Sequence, residues 1–123
     1  MERTFFITGS LLAGFSVAMG AFAAHGATKF MSEAQLGWLE KAARYNMYHA
    51  LAILAVAWAL TQWPGQASLL SWGGWSFVAG IALFSGSLYV MAFSPLRLGL
   101  VTPLGGVAFI LGWVLMAVGA WKN

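Results

Sequence analysis

The sequence predicts an all-α fold, a four-helix transmembrane bundle with an interfacial amphipathic segment between helices one and two. Three observations predict it. Hydrophobic residues make up 61% of the 123 residues and charged residues 7%, whereas a soluble domain carries about 25% charged residues to cover its surface. Four apolar runs, at about 4–24, 43–63, 69–93 and 104–121, recur along the chain, and about 20 residues of helix cross a hydrocarbon core ~30 Å thick. Small residues recur at spacings of three and four inside these runs, which lets helices approach closely where the hydrophobic effect between them is weak. The whole length is therefore read as one integral membrane domain.

The first run, Thr4 to Ala24, follows Met1-Glu2-Arg3 and ends near Ala21-Phe22-Ala23, a pattern shared with secretory signals. Signal cores span only about 7–15 residues, so a retained span is expected. Gly9, Ala13, Ser16, Gly20 and Ala24 draw its narrow groove. Phe5, Phe6, Leu12, Phe15 and Met19 are expected toward lipid. His25 ends the run as a cap residue, and Gly26 is expected as the C-cap glycine. Ser32-Glu33-Ala34-Gln35 reads as a capping box. After it Leu36, Trp38, Leu39, Ala42 and Ala43 alternate with Glu33, Glu40, Lys41 and Arg44, the amphipathic pattern of an interfacial helix. Glu40 and Arg44 are spaced to pair at i,i+4.

The second run closes at Pro64-Gly65, a turn signal, and the short connector makes the second and third runs antiparallel neighbours. In the third, Gly73, Ser76, Gly80 and Ser87 repeat the small-residue theme, and Ser94-Pro95 stops the helix. The connector through Arg97 to Pro103 is apolar enough to pack at the interface or to re-enter partly. The fourth run carries Gly105, Ala108, Gly112 and Gly119.

Four crossings place both termini on one side, with Arg3 and Lys122. Lys29, Lys41, Arg44 and Arg97 fall on the other. The positive-inside rule then leans toward cytoplasmic loops and both termini outside, in the inner or plasma membrane. Trp63, Trp72, Trp75 and Trp121 gather near the terminal face as an aromatic belt.

Alternating helix direction brings the scarce polar groups to one leaflet, near the loops. These are His25, Arg44, Tyr45, Asn46, Tyr48, His49, Ser85, Ser87, Tyr89, Arg97 and Thr102. His49 lies ~7.5 Å deeper than Arg44 at 1.5 Å rise per residue. Tyr45 and His49 share one face, and Arg44 and Tyr48 another. A structural reading makes the cluster an interhelical hydrogen-bond network, at roughly 0.6 kcal/mol a pair. A functional reading makes it a binding site, because ionisable groups at depth mark substrate or proton paths. His49 is the group that titrates nearest neutral pH.

Several chemistries are disfavoured. The chain has no Cys, which removes disulfides and thiolate sites. It also has no Asp, so a Ser-His-Asp triad is absent. The two histidines fit no metal spacing, glycine pairs at helix ends lack the strand a nucleotide loop needs, and scattered basic residues do not suggest nucleic acid. No metal or cofactor is expected. The expected partners are the lipid bilayer and a lipid or small-molecule ligand, with a homo-oligomer left open. The leading reading is non-enzymatic binding of a small molecule, lipid headgroup or ion at the polar cluster, with transport as an extension. The alternative is a structural or assembly partner in a membrane complex. A membrane enzyme using His49 as general base ranks below both.

Four blocks in order carry a resemblance: Gly20-Ala21-Phe22-Ala23-Ala24-His25-Gly26; Tyr45-x-Met47-Tyr48-His49-Ala50-Leu51-Ala52; Phe84-Ser85-Gly86-Ser87-Leu88-Tyr89; and Leu98-Gly99-x-x-Thr102-Pro103-Leu104-Gly105-Gly106 with Gly112-Trp113. Across essentially the full chain the sequence resembles domain-of-unknown-function family 423, small four-span membrane proteins. Ala23 stands where the family pattern usually has Gly. The resemblance implies a multi-pass membrane location and no established activity.

Overall fold

The computed structural model describes residues 1–122. Five α-helical stretches form four rods: α1 (Glu2–Ala24), α2 (Glu33–Gln62), α3 (Ala67–Gly80) running through a π-helical turn (Ile81–Ser85) into α4 (Gly86–Phe93), and α5 (Thr102–Lys122). No strand occurs among the described residues. Three rods are long and apolar enough to cross a membrane, spanning Glu2–Lys29, Pro64–Phe93 and Thr102–Lys122. Tyr45, Asn46, Tyr48 and His49 interrupt the apolar run of α2 and keep it out of that group.

α1 packs along α2, and α3 along α5, with α2 against both α3 and α4. The α1 seam runs Phe5, Gly9, Leu12, Ser16, Met19, Ala23. Four of these are buried and Leu12 and Met19 half-buried. That is a spacing of 4-3-4-3-4, the 3.5-residue period of helices that wrap one another. The expected groove is right at Gly9 and Ser16. Phe5, however, does not face lipid. It is fully buried, with its ring over Gly74, where a Cβ would sit 2.6 Å from it.

The same device holds α3 to α5. Phe77 fills the space over Gly112, Leu70 the space over Gly119, and Phe109 the space over Gly80. At Gly105 a Cβ would collide with the Phe84 backbone itself. In lipid, where water drives nothing between these rods, such knobs in glycine pits supply the van der Waals contact.

Ser32 accepts from the Gln35 N–H at 3.1 Å and Gln35 Oε1 accepts from the Ser32 N–H at 2.8 Å, so the capping box forms as its sequence signals. Gln35 Nε2 also donates to the Ala92 carbonyl at 3.2 Å, tying the start of α2 to the end of α4. The amphipathic segment is not a separate element. It is the opening of a continuous 30-residue α2, roughly 45 Å long at 1.5 Å per residue. The box fixes the start of the helix, and no breaker follows before Pro64. Gly26 does not cap α1 in the left-handed region, since no glycine has positive φ. A 3-10 turn, Gly26–Lys29, continues the chain instead. Glu40 and Arg44 form no ion pair within 4 Å; among the described residues the one ion pair joins the Met1 amino group to Glu2 at 3.7 Å.

Candidate functional site

The polar residues of the loop-side half resolve into three interhelical joints and a set of surface groups. The first joint centres on Asn46, 1% exposed. Its Nδ2 donates to the Leu12 carbonyl at 3.1 Å, and its Oδ1 accepts from the Tyr89 hydroxyl at 2.9 Å. One amide thus ties α1, α2 and α4. Phe15 meets the Tyr89 ring edge-on at 5.4 Å and covers the outer side.

The second joint joins the third rod to α2 and α5. Ser85 donates to the Ala42 carbonyl at 2.8 Å. Ser87 Oγ lies 2.9 Å from the Phe84 carbonyl and 2.6 Å from the Thr102 hydroxyl, which itself lies 3.5 Å from the Leu98 carbonyl, so one hydroxyl–hydroxyl bond joins the third rod to α5. The two serines, two residues apart and so on nearly opposite faces of the rod, serve different neighbours, and the π-helical turn ends at the first of them. It adds a residue to the helical turn and shifts the faces beyond it.

The third joint holds His49. Trp113 Nε1 lies 3.1 Å from His49 Nε2, and His49 Nδ1 lies 2.9 Å from the Tyr45 carbonyl. An indole N–H only donates, so Nε2 accepts and the proton sits on Nδ1, directed at Tyr45. The imidazole is the neutral Nδ1–H tautomer with both nitrogens engaged. Phe109 stacks on it at 3.5 Å and 8°, and Phe77 and Tyr45 close the other sides.

Four expected members stay out of these joints. His25 is exposed at the end of α1, with its carbonyl accepting from Thr28 at 2.6 Å. Arg44 and Tyr48 share the outer face of α2, both exposed. Arg97 turns along the surface, donating to the Leu96 carbonyl at 3.0 Å, with its guanidinium 5.0 Å over the Trp38 ring. Leu96 and Leu100 of its connector stand exposed. No group of three or more His, Asp or Glu side chains comes together among the described residues.

Two participants escape a reading by side-chain type. The Leu12 carbonyl carries no signature in sequence. Trp113 does carry one, since it lies far from either end of its rod and its N–H needs an acceptor there. Ser16 is the one buried side-chain polar atom without a partner among the described residues. Its usual acceptor one turn back, the Leu12 carbonyl, already receives Asn46.

Long apolar rods, glycine-pit packing and hydrophilic side chains turned inward define an integral helical membrane protein. The comparisons with known proteins agree. The family described as "Protein of unknown function (DUF423)" matches residues 19–106, and the chain belongs to it. It is 44% identical over 125 residues to the UPF0382 inner membrane protein YgdD of Escherichia coli K12, covering 98% of this chain and 92% of that protein. It is 42% identical over 122 residues to a UPF0382 membrane protein of Staphylococcus saprophyticus, covering 98% of each. No solved structure matches.

Proposed function

We propose that this protein is a non-enzymatic, four-crossing inner-membrane component that serves as a structural or assembly partner, with the loop-side polar layer as its internal lock. One observation carries the reading. Asn46, His49, Ser85, Ser87, Tyr89 and Thr102 pair with one another, with nearby backbone carbonyls or, for His49, also with the Trp113 N–H. A site for a hydrophilic ligand presents free donors and acceptors, and this layer spends its own on neighbouring rods. A locked bundle offers a partner a fixed outer surface at little ordering cost.

Loops in the cytoplasm and termini outside complete the proposal, on the four basic residues of the loop side against two at the terminal side. Because the chain lacks Cys, single cysteines at Thr28 and at Lys122 report sidedness. An impermeant maleimide added to intact cells should label the Lys122 position and spare the Thr28 position. In-cell crosslinking from photoreactive residues at Gly14 and Leu111 tests assembly. Discrete adducts are expected, and a folded protein that yields none overturns the assembly role.

A second reading, ligand binding within the layer, draws on Ser16, whose buried hydroxyl has no protein partner. Native mass spectrometry of protein purified with its own lipids tests it. A retained small-molecule mass lost on Ser16→Ala would favour binding over the lock.

A further inference from the structure

A groove lies at the other end, between the start of α1 and the close of α2. It measures about 560 Å³, within the roughly 300–1,000 Å³ range of small-molecule sites. Its origin is local. α1 and α2 pack closely where Gly9 meets the Ala50 carbonyl, which a Cβ would approach to 2.9 Å. Beyond that contact, toward the termini, Phe6 and Trp58 form walls, and Leu54 and Ala57 line the apolar part. From Thr61 down to Leu54 the groove runs roughly 10 Å along α2, at 1.5 Å per residue. Its polar end holds Glu2 and Arg3.

We propose that this groove binds one phospholipid of the surrounding bilayer, with a zwitterionic headgroup that carries a primary amine. Charge complementarity selects that occupant. Arg3 presents a guanidinium fork that suits a phosphate. Glu2 beside it presents a carboxylate to an ammonium, and the Met1 amino group 3.7 Å away compensates it only at an exposed surface. Anion and cation sites at adjacent positions match a headgroup with both charges. An acyl chain follows the apolar groove below, where Phe6 and Trp58 flank it. An anionic lipid would place its single charge near Arg3 and leave Glu2 facing it. The inference stands apart from the internal lock, since it uses none of the loop-side residues.

The test is native mass spectrometry of the full-length protein, delipidated and then titrated with phosphatidylethanolamine or phosphatidylglycerol. One phosphatidylethanolamine per chain is expected, retained at least fivefold over phosphatidylglycerol. Arg3→Gln should reduce retention of both lipids. Glu2→Gln should remove the preference or reverse it. Thr61→Phe, at an exposed position, should abolish binding by filling the groove, with unchanged helicity by circular dichroism. Equal retention by Thr61→Phe and the parent, a preference for phosphatidylglycerol in the parent, or photo-crosslinking from Thr61 to a second copy of the chain would each overturn the proposal.

Discussion

The two halves of this bundle handle polarity in opposite ways. In the loop-side half, Asn46, Ser85, Ser87, Tyr89 and Thr102 are turned inward and paired across rods. In the terminal half, Glu2, Arg3 and Thr61 sit at the rim of an open groove, and the buried side chains are Phe5, Ala57, Leu60 and Leu70. Lipid cannot satisfy a hydrogen bond, so a polar group that enters the hydrocarbon needs a protein partner. That need makes the loop-side half specific about how its rods meet. The terminal half, held by apolar shape alone, can tolerate a gap. Mutations should therefore cost more in the first region than in the second.

Gly105→Leu is the most severe way to sharpen the contrast. Its side chain must displace Phe84 backbone rather than a flexible side chain, so a loss of about 3 kcal/mol or more is expected. Unfolding in SDS titration followed by circular dichroism would measure it. Asn46→Ala comes next. It orphans the Tyr89 hydroxyl and frees the Leu12 carbonyl, and about 2 kcal/mol should be lost in the same assay. Combining it with Tyr89→Phe should cost less than the sum of the two single changes, because they share one bond.

His49→Phe tests whether the imidazole is a structural ring or a proton site. The stack on Phe109 survives, while the Trp113 N–H loses its acceptor and the Tyr45 carbonyl loses the Nδ1–H, so a destabilisation of about 1 kcal/mol is expected. Growth of cells dependent on the protein should be unchanged, and a growth defect with intact folding would return His49 to a functional role. Ser16→Ala and Thr61→Ala should both lie within about 0.5 kcal/mol of the parent. The first removes an unpaired hydroxyl, and the second changes a solvent- or lipid-facing position. A cost at Thr61→Ala as large as that at Asn46→Ala would break the contrast between the halves.

Parts of this arrangement are legible in the order of residues alone. Ser32 and Gln35 are three residues apart, and that spacing specifies the cap. Ser94-Pro95 stops the third rod, because proline excludes the preceding residue from the helical region. Other parts are illegible for identifiable reasons. Phe5 reads as a lipid-facing residue because its burial depends on Gly74, 69 positions away. Arg97 reads as a neighbour of the polar cluster because it shares a depth with it, yet the chain turns it toward Trp38. Depth follows from counting residues along a helix. Azimuth in a bundle follows from which rods are neighbours, and a π-helical turn shifts it partway along a rod.

By itself the sequence determined that this chain dissolves in lipid, that it forms apolar rods with glycine-lined faces, and that its polar side chains concentrate toward one end. Those are properties of composition, period and local capping, each set within a few residues of chain. The tertiary structure alone decided that Asn46 reaches Leu12 and Tyr89, that Trp113 fixes the His49 tautomer, and that a groove opens beside Arg3. Each joins positions far apart in sequence. A hydrogen bond or a gap a few ångströms wide depends on the relative placement of whole helices, which no local pattern specifies.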